Sequence, residues 1–149
     1  MVVVLHALSQ KTPIKRVVED DYTKEEKKMM EETKKIMGKN IPVTATCVRV
    51  PVFFGHSESV NVEFDSEITP EEAREILSCA EGVEWVDDVD RCAYPLAIHC
   101  QGKDPIYVGR IRKDRRVPHG LNLWIVADNI RKGAALNAVQ IAELWTKIA

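Results

Sequence analysis

The sequence predicts an α+β fold, a mostly antiparallel mixed sheet with helices on one face. Three observations carry this reading. Val60, Val62 and Phe64 alternate with Asn61 and Glu63, the period-two pattern of a half-buried strand. Two Thr-x-x-Glu capping boxes, Thr23 with Glu26 and Thr69 with Glu72, mark the starts of helices, because each side chain satisfies a free backbone donor of the first turn. Near the end of the chain Ala134, Ala138, Ile141, Leu144, Trp145 and Ile148 recur at helical spacing.

Taken in order, residues 1–8 suit either a strand, from three successive valines, or a short helix through Leu5 and Leu8. Lys15-Arg16-Val17-Val18 reads as a strand end. The first helix is predicted from Thr23 to Met37 and stops at Gly38. Its apolar residues are few, so much of it faces solvent or a cleft. Residues 41–54 are rich in β-branched and apolar side chains and read as a strand. Pro51, which has no amide proton to donate to a ladder, ends its regular pairing. Gly55-His56-Ser57 is a turn signal. The second helix has Pro70 at its first position and ends near Gly82. A short strand is predicted at 83–86, then an irregular stretch at 87–105 with one short extended piece. Strands at 106–113 and 121–127 are joined by Val117-Pro118-His119-Gly120. The last helix is predicted over 133–148. Leu136 and Val139 lie off its main apolar face, so burial on more than one side is expected.

A length of 149 residues predicts a single domain, and 45% hydrophobic with 30% charged residues is the mix of a soluble globular protein. No apolar run approaches the ~20 residues of a membrane span. Nor does any have the flanks of a signal peptide. Twenty-one basic against 23 acidic residues give a net charge of −2, so global charge does not argue for nucleic acid. The cysteines, at 47, 79, 92 and 100, form no CxxC pair. That predicts reduced thiols in a cytoplasmic protein, with neither a disulfide framework nor a metal site.

Several residues could carry chemistry. Arg49, on the 41–54 strand, can fork a carboxylate with two parallel hydrogen bonds. His56, just beyond it, can trade protons near neutral pH. From spacing alone a strand-edge salt bridge and a surface histidine are the favoured reading. Glu25 and Lys28 share a helix face, as solvated surface pairs also do. Arg110, Arg112, Lys113, Arg115 and Arg116 could bind phosphate or nucleic acid, but Asp114 interrupts them and no aromatic interleaves, which favours a solvated hairpin or charged interface. Cys47 could pair with His56 as a nucleophile or be a small buried thiol. Cys92, His99 and Cys100 are poorly spaced and too few for structural zinc. Trp85, Trp124 and Trp145 read as core or interface residues. The residues alone define no reaction.

The run 45–52, Ala-Thr-Cys-Val-Arg-Val-Pro-Val, followed by Gly55-His56-Ser57-Glu58, resembles aspartate-β-semialdehyde dehydrogenase. Tyr22-Thr23-Lys24-Glu25-Glu26 resembles the opening of that family's substrate-lining helix. Val108-Gly109-Arg110-Ile111-Arg112-Lys113-Asp114, Gly120-Leu121-Asn122-Leu123-Trp124 and the stretch from Asp128 to Glu143 follow in family order. The resemblance runs from Tyr22 onward and implies the family's C-terminal domain, which carries the subunit contact and half of the active site. In such enzymes a cysteine thiolate attacks the aldehyde, hydride passes to NADP, and phosphate releases aspartyl phosphate. Cells run the reaction towards the semialdehyde, on the route to lysine, threonine and methionine. The resemblance implies that Arg49 holds the substrate carboxylate, His56 is the general acid/base, Glu25 binds substrate, Lys28 binds phosphate and Asn129 contacts the cofactor. It also implies a homodimer, and a full-length subunit as a further partner.

The departures are equally specific. Residues 1–18 resemble the stretch just after the family's Asn-Cys-Ser/Thr nucleophile, and that motif is not in the sequence. The preceding NADP-binding domain has no counterpart. The strand at 15–18 joins Glu19-Asp20-Asp21-Tyr22 directly, where the family has a glutamine-bearing active-site segment and an intervening region. The expectation is a piece with an internal deletion that binds no cofactor by itself and is inactive. The alternative is a module that binds small anions such as phosphate without catalysis.

Overall fold

A computed structural model of the chain describes residues 1–8 and 17–148. In chain order the strands are β1 (Val2–Leu8), β2 (Val17–Glu19), β3 (Tyr22–Thr23), β4 (Val43–Arg49), β5 (His56–Glu63), β6 (Val83–Trp85), β7 (Ile106–Lys113) and β8 (Gly120–Ala127). The helices are α1 (Lys24–Met37), α2 (Pro70–Ser78), α3 (Ala97–Cys100) and α4 (Leu136–Ile148). Six strands form one sheet in the order β4-β1-β5-β8-β7-β6, while β2 and β3 pair separately. The β1–β4 and β6–β7 pairs are parallel, and the other three pairs of the large sheet are antiparallel. The predicted mixed, mostly antiparallel sheet is therefore the one that forms.

The ambiguous first segment is a strand. It lies between β4 and β5, where β-branched residues pack well against neighbours on both sides. Lys15 and Arg16 of the predicted strand end lie outside the described residues; Val17 and Val18 belong to β2. The predicted 41–54 strand stops at Arg49. The Val50 amide still donates to the Leu8 carbonyl at 2.9 Å, and Pro51 then interrupts the ladder.

Val4, Ala45 and Val60 pack with Met29, Val62 and Ile125. Ala73, Val108, Ile111 and Leu121 pack with Ile68, Leu77, Val83 and the same Ile125. One shared side chain thus shows that α1 and α2 cover the same face. Fully burying each large aliphatic side chain there contributes ~1.5–3 kcal/mol. Among the described residues the opposite face carries the single turn α3, which covers Cys100, Tyr107 and Val126, and the loop that brings Val86 and Pro95 to Trp124. Tyr107 is buried under that turn. Phe53 is 84% exposed but sits in the loop between β4 and β5.

Both capping boxes are complete. The second helix ends at Ser78, short of Gly82, because the chain turns at Cys79, whose amide donates to the Leu77 carbonyl. The last helix starts at Leu136 rather than Gly133, since Lys132, Gly133 and Ala134 have non-helical dihedrals. Its expected burial is not found. No residue of α4 is buried, with Trp145 75% and Ile148 85% exposed. Among the described residues α4 packs mainly on the 131–135 turn that precedes it, so its apolar stripe stays exposed.

Two features of β7 matter for the faces. At Gly109 the Val86 carbonyl and the Pro95 ring approach so closely that a Cβ would overlap both. A bulge between Gly109 and Arg112, with Arg110 at φ 55°, then turns Ile111 into the core.

Candidate functional site

The register of the sheet assembles the site. His6 and Leu8 on β1 face Cys47 and Arg49 on β4, and His6 also faces Glu58 on β5. His56 faces Ala127, the last residue of β8. Side chains alternate along a strand, so His6, Cys47, Arg49, His56, Glu58 and Ala127 share the helix-bearing face at one end of the sheet. Asp128 and Asn129 leave β8 at that same end.

His56 is not in a turn, as its flanking residues predicted, but is the first residue of β5. Gly55 makes the turn one residue earlier. It adopts φ 80°, and a Cβ there would come within 3.2 Å of the Ala127 carbonyl oxygen. His56 therefore enters the ladder, and the sheet orients its half-buried ring. That ring meets the buried His6 ring edge to face, with centroids 4.6 Å apart at 85°. His6 Nδ1 lies 2.7 Å from Glu58 Oε1. Burial lowers the His56 pKa, and the like charge of His6 and the cations Arg49 and Lys28 lower it further against the pull of Glu58, to about 4. At neutral pH the imidazole is uncharged and can accept a proton.

Helix α1 brings Glu25 and Lys28 to this end of the sheet. It is tied down by Glu26, whose Oε2 accepts from the Thr23 amide at 2.7 Å and the Thr23 hydroxyl at 2.8 Å. Glu26 Oε1 accepts the Cys47 amide at 2.9 Å. The latter bond satisfies a donor on the outer edge of β4, which has a neighbouring strand on one side only. Glu25 is half-buried and Lys28 exposed.

Cys47 is buried, with Sγ 3.5 Å from Met29 Sδ. Burial first, then the negative charges of Glu26, Glu25 and Glu58, push its thiol up to about 11. A thiol held in that form is no nucleophile near neutral pH, so the conceivable Cys47–His56 pair does not form.

A cavity of about 300 Å³ opens beside His56, lined also by Glu58, Asn129, Lys132, Gly133 and Asn137. This brings Asn129 to His56 across the sheet end. The buried Asp128 carboxylate fixes the loop by accepting the Gly102 amide at 2.7 Å and the Ile130 amide at 2.9 Å. Those bonds hold its pKa low despite the opposing effect of burial.

The basic run is dispersed. Asp114 is buried and accepts from Arg116 Nη2 at 2.8 Å and Asn61 Nδ2 at 2.6 Å, which takes Arg116 out of any anion site. Among the described residues no three His, Cys, Asp or Glu side chains are placed to hold a metal ion, and no helix is long and apolar enough to cross a membrane. Reading the sequence by itself missed His6, Glu58 and Lys132 as neighbours of His56, and the third bond of Glu26. Only the capping box gave a signal, for Glu26 alone.

The family model for the semialdehyde dehydrogenase dimerisation domain matches residues 8–132. The chain belongs to that family. It is 61% identical over 130 residues to an aspartate-semialdehyde dehydrogenase of Aquifex aeolicus, covering 87% of this chain and 38% of the relative. To the Legionella pneumophila enzyme it is 55% identical, covering 85% and 37%. The chain thus spans well under half the length of the curated relatives it matches. Its fold superposes on Vibrio cholerae aspartate semialdehyde dehydrogenase II with a TM-score of 0.91 at 35% identity, over 98% of this chain and 54% of that one. The Candida albicans enzyme, solved with NADP, shares the fold with a TM-score of 0.75 at 22% identity, over 97% of this chain and 49% of that one. The semialdehyde dehydrogenase dimerisation domain is accordingly the α+β architecture described above.

Proposed function

We propose that residues 1–149 act as a single domain supplying the dimer contact and half of the substrate site of an NADP-dependent aspartate-β-semialdehyde dehydrogenase. The observation that supports this reading is the convergence of Arg49, His56, Lys28 and Asn129 on one end of one sheet face, beside a cavity. In it the planar fork of Arg49 takes the substrate carboxylate and Lys28 offers a point cation to phosphate. Glu25 lies at the same helix end to contact the substrate. His56, uncharged at neutral pH, accepts or returns the reacting proton. Asn129 and the open approach at Gly133, where nothing lies within 4 Å of a would-be Cβ, fit one edge of a nicotinamide cofactor. When bound, the cofactor supplies hydride transfer. The family's route also needs a thiolate, and Cys47 is held protonated, so these residues alone bind and do not turn over.

The dimer contact is the sheet face opposite α1 and α2, where Leu5 and Val48 are exposed. The partner is a second copy of the chain or a full-length subunit.

The test is isothermal titration with inorganic phosphate and an aspartyl analogue, alongside sedimentation. Binding that is lost in Arg49→Ala and Lys28→Ala, in a chain that sediments as a dimer, supports the proposal. Binding without dimerisation supports the alternative of a simple anion-binding module. Turnover of semialdehyde that disappears in Cys47→Ser would overturn the inactive half-site.

A further inference from the structure

His6 carries no assigned role, yet it is a buried imidazole in the middle of the site. It is 5% exposed and sits on β1 with Val4 and Leu8 as its same-face neighbours. A polar ring at such a position is unfavourable unless its polarity is used. Its Nδ1 lies 2.7 Å from Glu58 Oε1, an ion-pair contact without hydrogen-bond alignment, and its ring abuts that of His56 at 4.6 Å in a T-shaped arrangement. The two contacts are linked by the sheet. Glu58 and His56 are two residues apart on β5, and Glu58 is the register partner of His6.

We propose that His6 and Glu58 form a positioning pair for His56, with Glu58 anchoring the His6 ring and the His6 ring fixing the plane of His56 and disfavouring a second proton on the cluster. The proposal rests on the reading of His56 as the proton-transfer group. Its physical basis is twofold. An edge-to-face contact restricts the ring flip that would exchange the two nitrogens of His56. Like charge on the two adjoining rings is unfavourable at a centroid separation of 4.6 Å. The other charges facing His56 are Arg49 from β4, Lys28 from α1 and Lys132 from the loop after β8. All three are cations and act in the same direction. Among the described residues Glu58 is the acidic side chain that shifts His56. By pairing with His6 it spends part of its field on the other ring. His6 does not touch substrate in this scheme; it acts through His56.

The test is the NMR titration of the His56 Cε1–H resonance in the chain, without ligand, with the His6 ring resonance followed for its line width. In His6→Phe, which keeps the aromatic edge and removes the charge, the His56 midpoint is expected to rise by about one pH unit. In His6→Gln, which also loses the ring contact, the His56 resonance should in addition broaden from ring exchange. Glu58→Gln, at a side chain 30% exposed, provides a measurement that leaves the core packing intact. There the His6 ring loses its contact with the carboxylate, and the His6 and His56 ring resonances are expected to broaden together. An unchanged His56 midpoint in the folded His6 variants, or His6 and His56 ring resonances that stay sharp in Glu58→Gln, overturns the proposal. Failure of the underlying half-site reading shows differently. In that case the His56 resonance of the unsubstituted chain does not respond to added phosphate or aspartyl analogue, whatever the His6 variants do.

Discussion

Replacing Glu26 by alanine removes three hydrogen bonds held by one carboxylate. Two belong to the cap of α1, from the Thr23 amide and hydroxyl. The third comes from the Cys47 amide on β4, 21 residues away. Losing a side-chain cap costs ~1 kcal/mol. A hydrogen bond to a charged acceptor contributes ~1.5–3 kcal/mol. The expected loss is therefore ~2–4 kcal/mol, a large share of the ~5–15 kcal/mol that stabilises a domain. Thr23→Ala removes the cap and leaves the bond to β4, so its cost should stay near ~1 kcal/mol. Thr69→Ala, at the equivalent box of α2, should match it. Urea unfolding followed by circular dichroism measures all three. The pH dependence gives an independent check. Hydrogen bonds from Cys47 and Thr23 hold the Glu26 pKa below its ordinary value, although burial opposes them. A lowered folded-state pKa means a contribution that is complete above the unfolded value and is lost as pH falls through the folded one. The gap between wild type and Glu26→Ala should thus be full at pH 7 and shrink below the ordinary glutamate range. A cost at pH 7 no larger than that of Thr23→Ala, or a gap unchanged in acid, would refute the argument that α1 is anchored through this carboxylate.

The depressed His56 pKa predicts that folding stability falls as pH drops from 6.5 towards about 4, because there the unfolded chain binds a proton that the folded chain does not. That slope should be missing in His56→Gln. With an aromatic disulfide at pH 8, the exposed Cys79 and Cys92 should react first, and the buried Cys47 and Cys100, both pushed up to about 11, only on unfolding. Gly109→Ala should destabilise the fold by ~3 kcal/mol in urea, since backbone and a proline ring leave no room for the methyl group.

Local signals proved reliable where the physics is local. Thr23 and Thr69 cap their helices because a hydroxyl, a carboxylate and free amides three residues apart satisfy one another without outside help. Alternation over 60–64 placed β5 because the pleat has a period of two. Local signals failed where two distant segments compete for one residue. His56 follows a glycine and precedes a serine, as turn residues do, yet pairing with Ala127 draws it into the sheet. The apolar stripe of α4 was legible but its exposure was not, since a stripe shows which residues share a face and not whether another surface covers it.

The candidate site divides the same way. Residue types and ordered motifs were enough to name Arg49, His56, Glu25, Lys28 and Asn129 and to bring in the family. They could not bring these residues to one end of one sheet, because that depends on β1 entering between β4 and β5 and on β8 ending opposite His56. Nor could they distinguish the neutral His56 from an ordinary surface histidine, or the inert Cys47 from a nucleophile. A pKa is set by burial and by charges brought close in space, and here those charges come from α1, β1, β4 and β5. The sequence by itself determined the elements, their caps and the chemical capacity of each side chain, all of which rest on contacts within a few residues. Only the tertiary structure decided which capacities meet and in what protonation state, because distance and dielectric are properties of the packed chain.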